Sequence, residues 1–366
     1  MLTQVIFALA GLTLGVATHH YLLFVLLPLF ALAYAFTRTR LDVFIFALFY
    51  FATASFDIIE GHKTFTNDDS YTTGFLLWLV ANSLLAASFI LLKNKTYAFP
   101  AGLVISALLP FGWASTLNAA GVYYPSLSVV GFILMFALLT AIANKNIQLS
   151  ALLLAVSVIA NIGAKPVLLD ANIIAINTNQ PPYSADKTLT GRIAWQQKQV
   201  ANFIAQQKQC SEDGRIYVLP ESSIGVVEDW NLKLWSDVAA FTLCDNDKLV
   251  VNGEIGTTNS QFFAFDNTTM IFTKNGLTAS YPARASVPGI NPARWHLAKN
   301  ENFLVCYELY LVWPNLLANF GSNDVVIAQA NLWWADQDNS LVKIQSETGK
   351  AYARLFSKGF YLSTNM

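Results

Sequence analysis

The feature that most constrains the fold is a run of 36 residues, residues 2 to 37, that contains no Asp, Glu, Lys or Arg. A transmembrane helix needs about 20 apolar residues, so this run predicts two membrane spans joined by a tight turn. The turn is predicted at His19 to Tyr21. A cleaved signal peptide is the alternative for the first span. We expect no cleavage, because the run lacks a basic amino-terminal segment and a second apolar stretch follows at once.

Five further apolar runs bring the predicted number of membrane spans to seven. They lie at about residues 41 to 58, 74 to 92, 96 to 116, 126 to 144 and 147 to 164. The run at 41 to 58 is the weakest, because only 14 residues separate Asp42 from Asp57. A charge-free stretch of that length is also found in buried or re-entrant segments.

Basic residues in the short loops indicate the orientation of these spans. Alternate loops contain Arg38, Arg40, Lys93, Lys95 and Lys145. The loops on the opposite side contain one basic residue, Lys63. Cytoplasmic loops retain Lys and Arg, so the side with five basic residues is predicted to be cytoplasmic. The seventh span then places residue 165 onward on the periplasmic face of a bacterial inner membrane.

Charge divides the chain into two unlike parts. Residues 1 to 164 contain 11 charged residues, and residues 165 to 366 contain the other 34 of the 45. We therefore predict a transmembrane domain at 1–164 and a polar domain at 165–366. A net charge of -1 provides no basic surface for nucleic acid, so direct nucleic-acid binding is not expected. His296 is the one histidine of the polar part, so we expect no histidine-based metal site and no cofactor.

The polar part alternates β-rich runs with helical stretches, which predicts a single α/β domain. Predicted strands cover residues 167–177, 215–219, 249–252, 261–266, 269–274, 278–281, 302–306 and 324–329. Predicted helices cover residues 186–207, 230–244, 314–320 and 346–356. The strands around Asn275 and Gly276 are predicted to form an antiparallel meander with a hairpin turn.

Three strand ends contain the candidate site residues, because ligands of open α/β sheets bind at the carboxyl ends of strands. Glu221 follows the first of these strands, Cys306 with Tyr307 and Glu308 follows the second, and Trp333 with Trp334 follows the third. Taken singly, such a Glu is usually a solvated loop residue and such a Cys an inert core thiol. Adjacent Trp residues fit a core and a pocket wall equally well.

Together these residues resemble the nitrilase (carbon-nitrogen hydrolase) superfamily, whose sites combine a Glu base, a Lys and a Cys nucleophile at neighbouring strand ends. Leu219 to Ser222 is similar to the Pro-Glu motif of that Glu, and Val305 to Glu308 is similar to the Cys-Tyr-Glu motif of apolipoprotein N-acyltransferases. The Asn-Leu-Trp-Trp-Ala stretch at 331–335 resembles conjugal transfer proteins of the TraB type more closely still. The likeness covers residues 165–366 in motif order and the membrane part in architecture only. It implies an α-β-β-α sandwich.

The resemblance also implies roles for individual residues. A cysteine thiol with a pKa of about 8.5 needs a base or a positive neighbour to act as a nucleophile at neutral pH. Glu221 is the implied base, and Cys306 the nucleophile that forms a thioester with an acyl group. Tyr307, Glu308, Trp333 and Trp334 are the implied substrate-binding residues, with Glu308 orienting the acyl acceptor or supporting the base and the two Trp forming a pocket wall.

The family Lys has no counterpart at its position in this chain. In N-acyltransferases the Lys precedes a Val-Pro-Phe-Gly-Glu motif, and with Val287-Pro288 as the anchor Ala283 stands at the Lys position. The second Glu of that motif is absent as well. Arg284, one residue further on, is our candidate for the positive charge, although Arg stays protonated and cannot shuttle protons. Family members normally continue beyond the equivalent of Met366, so the domain is also expected to be truncated at its carboxyl end.

The other two cysteines, Cys210 and Cys244, each shortly precede a predicted strand. A disulfide between them is one interpretation for a periplasmic domain, and two separate thiols are the other.

Two hypotheses follow for the function. The first is a membrane-embedded enzyme that transfers acyl groups or cleaves amides through a Cys306 thioester, with a phospholipid or another acyl donor and an amine acceptor that the sequence does not name. The second is a non-catalytic scaffold of a conjugation apparatus with a degraded nitrilase site, binding other conjugation proteins. Hydrolysis of small soluble nitriles ranks third, since it would give the membrane part no purpose beyond anchoring.

Overall fold

The computed structural model of the protein describes residues 2–66, 71–167, 169–181, 188–256, 265–285, 302–335 and 338–366. The chain divides into two compact units. The first comprises Met1–Val167, Leu309–Phe320 and Gln337–Lys358, and the second comprises Leu168–Glu308, Gly321–Asp336 and Gly359–Met366. The units interleave along the sequence, whereas we predicted one boundary after residue 164.

The first unit begins with a series of α-helices, numbered here along the described chain. They are α1 (Leu2–Val16), α2 (Pro28–Phe36), α3 (Arg40–Ala54), α4 (Ile58–Thr66), α5 (Tyr71–Ser88), α6 (Lys95–Leu108), α7 (Ala120–Tyr123), α8 (Ser128–Ala143) and α9 (Ile147–Gly163). Helices α1 and α3 approach closely because α1 presents glycines: a Cβ on Gly11 would lie 2.4 Å from the Phe46 carbonyl oxygen. Small residues at helix contacts are typical of apolar bundles.

Two described segments are long and apolar enough to cross a membrane, Leu2–His19 and Tyr71–Ser88. A third span results if Arg40–Ala54 and Ile58–Thr64, which are bent by 45° relative to each other, count as one. Other apolar helices are shorter than 18 residues, because polar residues and prolines interrupt the runs: α2 begins at Pro28, and α6 ends before Pro110. Two or three spans are thus supported by length and composition, and the seven-span arrangement stays a prediction.

The described residues of the second unit form helices and two sheets. Their elements are β1 (Ile173–Ala175), α10 (Leu189–Ala205), β2 (Ile216–Val218), β3 (Gly225–Val226), α11 (Asp229–Thr242), β4 (Lys248–Gly256), β5 (Phe265–Thr273), β6 (Gly276–Pro282), β7 (Phe303–Val305), β8 (Val325–Asn331) and β9 (Gly359–Asn365). The first sheet has the order β1-β2-β4-β5-β6, with β3 beside β4, and the second has the order β7-β8-β9. Strands β1, β2 and β4 are parallel, as are β7, β8 and β9.

Apolar clusters pack on both faces of strands β1, β2, β4 and β5 of the first sheet. Phe203 of α10 and Trp235 of α11 cover one face in a cluster with Tyr217, Leu249 and Phe272. On the opposite face Ile173, Val218 and Val250 pack against Ile327 and Tyr361 of the second sheet. This unit is therefore a layer of helices on two facing sheets. The predicted mixture of helix and sheet is confirmed.

Two further helices, α12 (Val312–Asn319) and α13 (Ser340–Leu355), belong to the first unit. Helix α13 lies against α7, where a Cβ on Gly121 would lie 1.8 Å from the Ala351 carbonyl oxygen. The Arg354 guanidinium also donates a 2.8 Å hydrogen bond to the hydroxyl of Tyr21. These contacts explain why the segment groups with the apolar helices.

Several predicted elements differ in extent from the observed ones. The stretches at 261–266 and 269–274, predicted as two strands, contain one nine-residue strand, β5, while residues 261–264 lie outside the described part. Strand β9 was not predicted, although Gly359, Tyr361, Ser363 and Asn365 alternate as buried positions. The antiparallel meander β4-β5-β6 is confirmed, and Gly276 at its hairpin has a φ of 97°, which favours glycine.

Cys210 and Cys244 form a disulfide with a Cα to Cα distance of 5.7 Å. The bond joins the segment before β2 to the segment before β4, which are neighbouring strands. Of the two interpretations left open by the sequence, the structure has the disulfide. Cys306 retains its thiol and is partly exposed.

Candidate active site

Glu221 is positioned by the carboxyl end of β2. The chain leaves that strand through Leu219, whose N–H donates a 2.9 Å hydrogen bond to the carbonyl of Val250. The Glu221 carboxylate accepts hydrogen bonds from two sides. Its Oε2 atom accepts from the backbone N–H of Asn331 at 2.9 Å, and its Oε1 atom accepts from the side-chain amide of Asn267. A third donor is the thiol of Cys306.

Burial raises the pKa of Glu221 from its ordinary value of 4.5 to about 7. The hydrogen bonds from Cys306, Asn331 and Asn267 act in the opposite direction, since they favour the carboxylate. The negative charge of Glu254 raises the pKa further. A carboxyl group that titrates near neutral pH can accept a proton and return it, which is what a general base requires.

Cys306 stands at a sharp turn between β7 and a short 3-10 helix, Cys306–Tyr310. Its φ of 37° is in the left-handed region, which a residue with a side chain seldom adopts. Such a conformation persists only where surrounding contacts hold it, and it occurs often at active sites. Here the turn directs the thiol of Cys306 to the Glu221 carboxylate.

Glu308 holds this turn from inside the protein. It is 1% exposed, its Oε2 atom accepts from the N–H of Val305 at 2.9 Å, and its Oε1 atom accepts from the backbone N–H groups of Arg284 and Ala285. Burial raises the pKa of Glu308, and the charge of Arg284 opposes that rise. These contacts make Glu308 a support of the Cys306 turn. A role of Glu308 in orienting an acyl acceptor stays a prediction.

Arg284 is buried beside Glu308, and its guanidinium donates a 2.8 Å hydrogen bond to the carbonyl of Phe303. Its described contacts therefore support β7 and the turn that follows. The predicted use of Arg284 as the catalytic cation stays a prediction. Ala283, at the position of the family Lys, donates its N–H to the Asn267 carbonyl at 2.7 Å, so this position lies next to a direct partner of Glu221. The anchor Val287-Pro288 lies outside the described residues.

The remaining predicted residues flank the Glu221–Cys306 pair. Tyr307 follows Cys306 directly, is partly exposed, and has a pKa raised by burial. Trp333 and Trp334 are partly exposed in a turn after β8, closed by a 2.9 Å hydrogen bond from Ala335 N–H to the Leu332 carbonyl. The structure thus brings together residue 221, residue 306 and the segment that begins at residue 331. The substrate-binding roles of Tyr307, Trp333 and Trp334 stay predictions.

Asn267 and Gln329 belong to the site although no sequence motif pointed to them. Gln329 is fully buried, its amide donates to the carbonyl of Leu219 at 2.6 Å, and its oxygen accepts from the Thr269 hydroxyl at 2.8 Å. Leu219 lies two residues before Glu221, Thr269 two residues after Asn267, and Gln329 two residues before Asn331. Alternate residues of a strand share a face, so Gln329 fixes the spacing of those three segments.

A second carboxylate, Glu254, was also missed. It lies on β4 opposite Asn267 and accepts a hydrogen bond from the Ser222 hydroxyl. The signal that could have found it is a polar pair, Asn252 and Glu254, that alternates at the end of the apolar strand Leu249–Val251. Within the described residues, no group of three or more His, Cys, Asp or Glu side chains is arranged to hold a metal ion.

The chain is similar in sequence to two conjugal transfer proteins. It is 26% identical to the probable conjugal transfer protein TraB of Sinorhizobium fredii, over 92% of this chain and 91% of the relative. It is also 26% identical to the conjugal transfer protein TraB of Agrobacterium fabrum, over 90% of this chain and 85% of the relative. No protein-family profile matches the chain.

One similar solved structure is a cysteine-to-alanine mutant of the Nesterenkonia AN1 amidase from the nitrilase superfamily. The similarity has a TM-score of 0.38 and 15% sequence identity, and it covers 53% of this chain and 75% of that chain.

Proposed function

We propose that the protein is a membrane-associated, nitrilase-like enzyme of a conjugal transfer system, which transfers acyl groups or cleaves amides through a thioester on Cys306. The single observation that carries the proposal is the hydrogen bond from the Cys306 thiol to the Glu221 carboxylate, with the Cys at a left-handed turn. Nucleophile and base within hydrogen-bond reach are the arrangement that covalent catalysis needs. The sequence similarity to the two TraB proteins supports the link to conjugal transfer.

In the proposed first step, Cys306 transfers its thiol proton to Glu221, and the sulfur attacks the carbonyl carbon of the acyl donor. The bond from that carbon to the leaving oxygen or nitrogen breaks, and the leaving group takes the proton from Glu221. In the second step an amine or a water molecule attacks the thioester and passes a proton to Glu221. The carbon-sulfur bond breaks and the thiolate recovers that proton, so Cys306 and Glu221 return to their starting state.

We place the protein in a bacterial inner membrane with the second unit in the periplasm. The biased distribution of Lys and Arg supports this orientation, and the Cys210–Cys244 disulfide fits an oxidising compartment. The two or three candidate spans support membrane association, and seven spans remain our proposal for the full membrane part. A diacyl phospholipid is the acyl donor that such a location would offer.

The first prediction is a covalent acyl adduct on Cys306. Detergent-purified protein incubated with diacyl phospholipids should gain the mass of one fatty-acyl group, and hydroxylamine should remove it, because hydroxylamine cleaves thioesters. The Cys306→Ser protein should gain no hydroxylamine-sensitive mass. A folded wild-type protein that retains its thiol and gains no adduct from phospholipids would contradict the phospholipid donor. Reactivity toward an acyl amide would then distinguish amide cleavage from the absence of acyl chemistry.

A second candidate function is a non-catalytic scaffold of the conjugation apparatus. The observation that favours it is Ala283 at the family Lys position, beside Asn267. The two functions differ in what Cys306→Ser does to conjugation in cells. Loss of plasmid transfer, with unchanged protein level and membrane localisation, would support the enzyme. Transfer at the wild-type frequency would support the scaffold.

A further inference from the structure

We propose that Glu254 is a second carboxylate of the active site, a positioning residue that acts on Cys306 through Glu221. This inference deepens the proposed function, since it takes Cys306 as the nucleophile and Glu221 as its base. It rests on the register of β4, on the contacts of Ser222, and on an unsatisfied atom of Asn267.

The register of the first sheet places Glu254 beside Asn267. The two residues are opposite each other in the antiparallel pair β4–β5. Directly opposite residues project to the same face of a sheet, with Cβ atoms about 5 Å apart. Asn267 donates its amide to Glu221, so the Glu254 side chain lies on the same face as the direct partner of the base.

Ser222 provides a second link between the two carboxylates. It follows Glu221 directly and has a φ of 58°. Its backbone N–H donates to Asn252 Oδ1 at 2.8 Å, and its hydroxyl donates to the carboxylate of Glu254. Asn252 and Glu254 alternate on β4 and therefore share a face, so one strand holds Ser222 by both its backbone and its side chain.

The charge of Glu254 has a direct effect on the base. Burial raises the pKa of Glu254, the hydrogen bond from Ser222 opposes that rise, and the charge of Glu254 in turn raises the pKa of Glu221. An anionic Glu254 therefore makes Glu221 a stronger proton acceptor for the Cys306 thiol. Among the neighbouring ionisable residues in the sequence, Asp266 precedes Asn267 and Tyr307 follows Cys306, while the charge of Arg284 acts on Glu308.

Asn267 offers a hydrogen-bond acceptor to a protonated Glu254 carboxyl group. Its Oδ1 atom is buried and has no hydrogen-bond partner among the described residues. When Glu254 takes up a proton, its carboxyl can donate to that oxygen and complete a chain from Glu254 through Asn267 and Glu221 to Cys306. The two carboxyl groups would then titrate as a coupled pair.

The test is the pH dependence of Cys306 alkylation by iodoacetamide in the full-length, detergent-purified protein. The Cys210–Cys244 disulfide is kept intact so that Cys306 supplies the reacting thiol. In the wild type, we expect the rate to fall as the pH is lowered through about 7, because Glu221 becomes protonated. In Glu254→Gln the midpoint should move to lower pH by roughly one unit, since the neighbouring negative charge is lost.

Three variants serve as controls. Glu254→Asp keeps the charge and should retain the wild-type midpoint. Glu212→Gln removes a carboxylate from the exposed segment before β2 and should also leave the midpoint unchanged. Glu254→Thr is a second neutral variant with a residue suited to a strand, and it should shift the midpoint in the same direction as Glu254→Gln.

An unchanged midpoint in a folded Glu254→Gln protein would overturn the proposal. Equal shifts in the Asp and Gln variants would do the same, since they would indicate a packing role. If both neutral variants fail to fold while Glu254→Asp folds, the Glu254 charge is required for folding. That result would also overturn the proposal. Alkylation needs no acyl donor, so a shifted midpoint without any acyl adduct would reject the proposed function and keep the role of Glu254.

Discussion

At the scale of single residues, Glu221 combines two opposing requirements. Its carboxylate has three hydrogen-bond donors, as a stable anion would, yet burial raises its pKa to about 7. The donors hold the Glu221 carboxylate in position, and its burial keeps its proton affinity high. A more solvated Glu would be ionised at neutral pH but would be a weaker base toward a thiol.

The raised pKa of Glu221 predicts a pH dependence of stability. Between about pH 4.5 and pH 7 the folded state binds a proton at Glu221 that the unfolded state has released, so stability falls as the pH rises through this window. The shift of the pKa from 4.5 to about 7 corresponds to a loss of folding stability on the order of 3 kcal/mol across this window. We expect the melting temperature of the wild type to decrease over this window relative to that of Glu221→Gln, measured in one detergent. Parallel pH curves for the two proteins would contradict the raised pKa.

At the scale of elements, the site depends on strands of both sheets in the second unit. Glu221 follows β2, Asn267 lies on β5, and Asn331 ends β8. Gln329 lies on β8, two residues before Asn331. Its buried amide forms a bridge between Leu219, which follows β2, and Thr269 of β5. Helices α10 and α11 supply the apolar cover on one face of the first sheet.

Gln329→Leu should therefore impair the site without touching Cys306. Loss of both hydrogen bonds leaves the Leu219 carbonyl and the Thr269 hydroxyl buried without their partner, at a cost of about 2 to 4 kcal/mol. We expect a lower melting temperature and at least a severalfold slower alkylation of Cys306 at pH 8. Thr269→Val is the matched control, because it removes only one of the two bonds, and its effect should be smaller. Alkylation at the wild-type rate in a folded Gln329→Leu protein would show that Gln329 does not position Glu221.

At the scale of the whole molecule, the two units interleave in the sequence. The segment after Glu308 and the segment that contains α13 group with the apolar helices, while β8 and β9 return to the second unit. The predicted division into a transmembrane domain at 1–164 and a polar domain at 165–366 stays a prediction. The disulfide belongs to the second unit alone and is a feature by which its cellular compartment can be tested.

The disulfide predicts the number of reactive thiols. Protein isolated from cells under acid-quenched, nonreducing conditions and then denatured should react with one equivalent of maleimide, at Cys306, and with three equivalents after reduction. Folding through a periplasmic location forms this bond, whereas a cytoplasmic location keeps the thiols reduced. Cys210→Ser with Cys244→Ser should react with one equivalent in both conditions. Three equivalents in the unreduced wild type would contradict a periplasmic second unit.

The amino-acid sequence by itself determined the local features of this protein. Apolar runs, strand-forming stretches and the Asn275-Gly276 hairpin depend on neighbouring residues, so their pattern is visible without a structure. The motifs around Glu221 and Cys306 were visible for the same reason, since each is a short segment at the end of an apolar run. The antiparallel meander and the mixture of helix and sheet followed from this reasoning.

The tertiary structure alone decided which distant residues share the site. Asn267, Gln329 and Glu254 are ordinary polar residues within strands. They matter because β5 and β4 bring Asn267 and Glu254 near Glu221, and β8 brings Gln329 to Leu219. It also decided that Glu308 and Arg284 support the Cys306 turn, and that α13 packs with the apolar helices. Such contacts join residues far apart in sequence, and they depend on strand register and close packing, which local patterns do not specify.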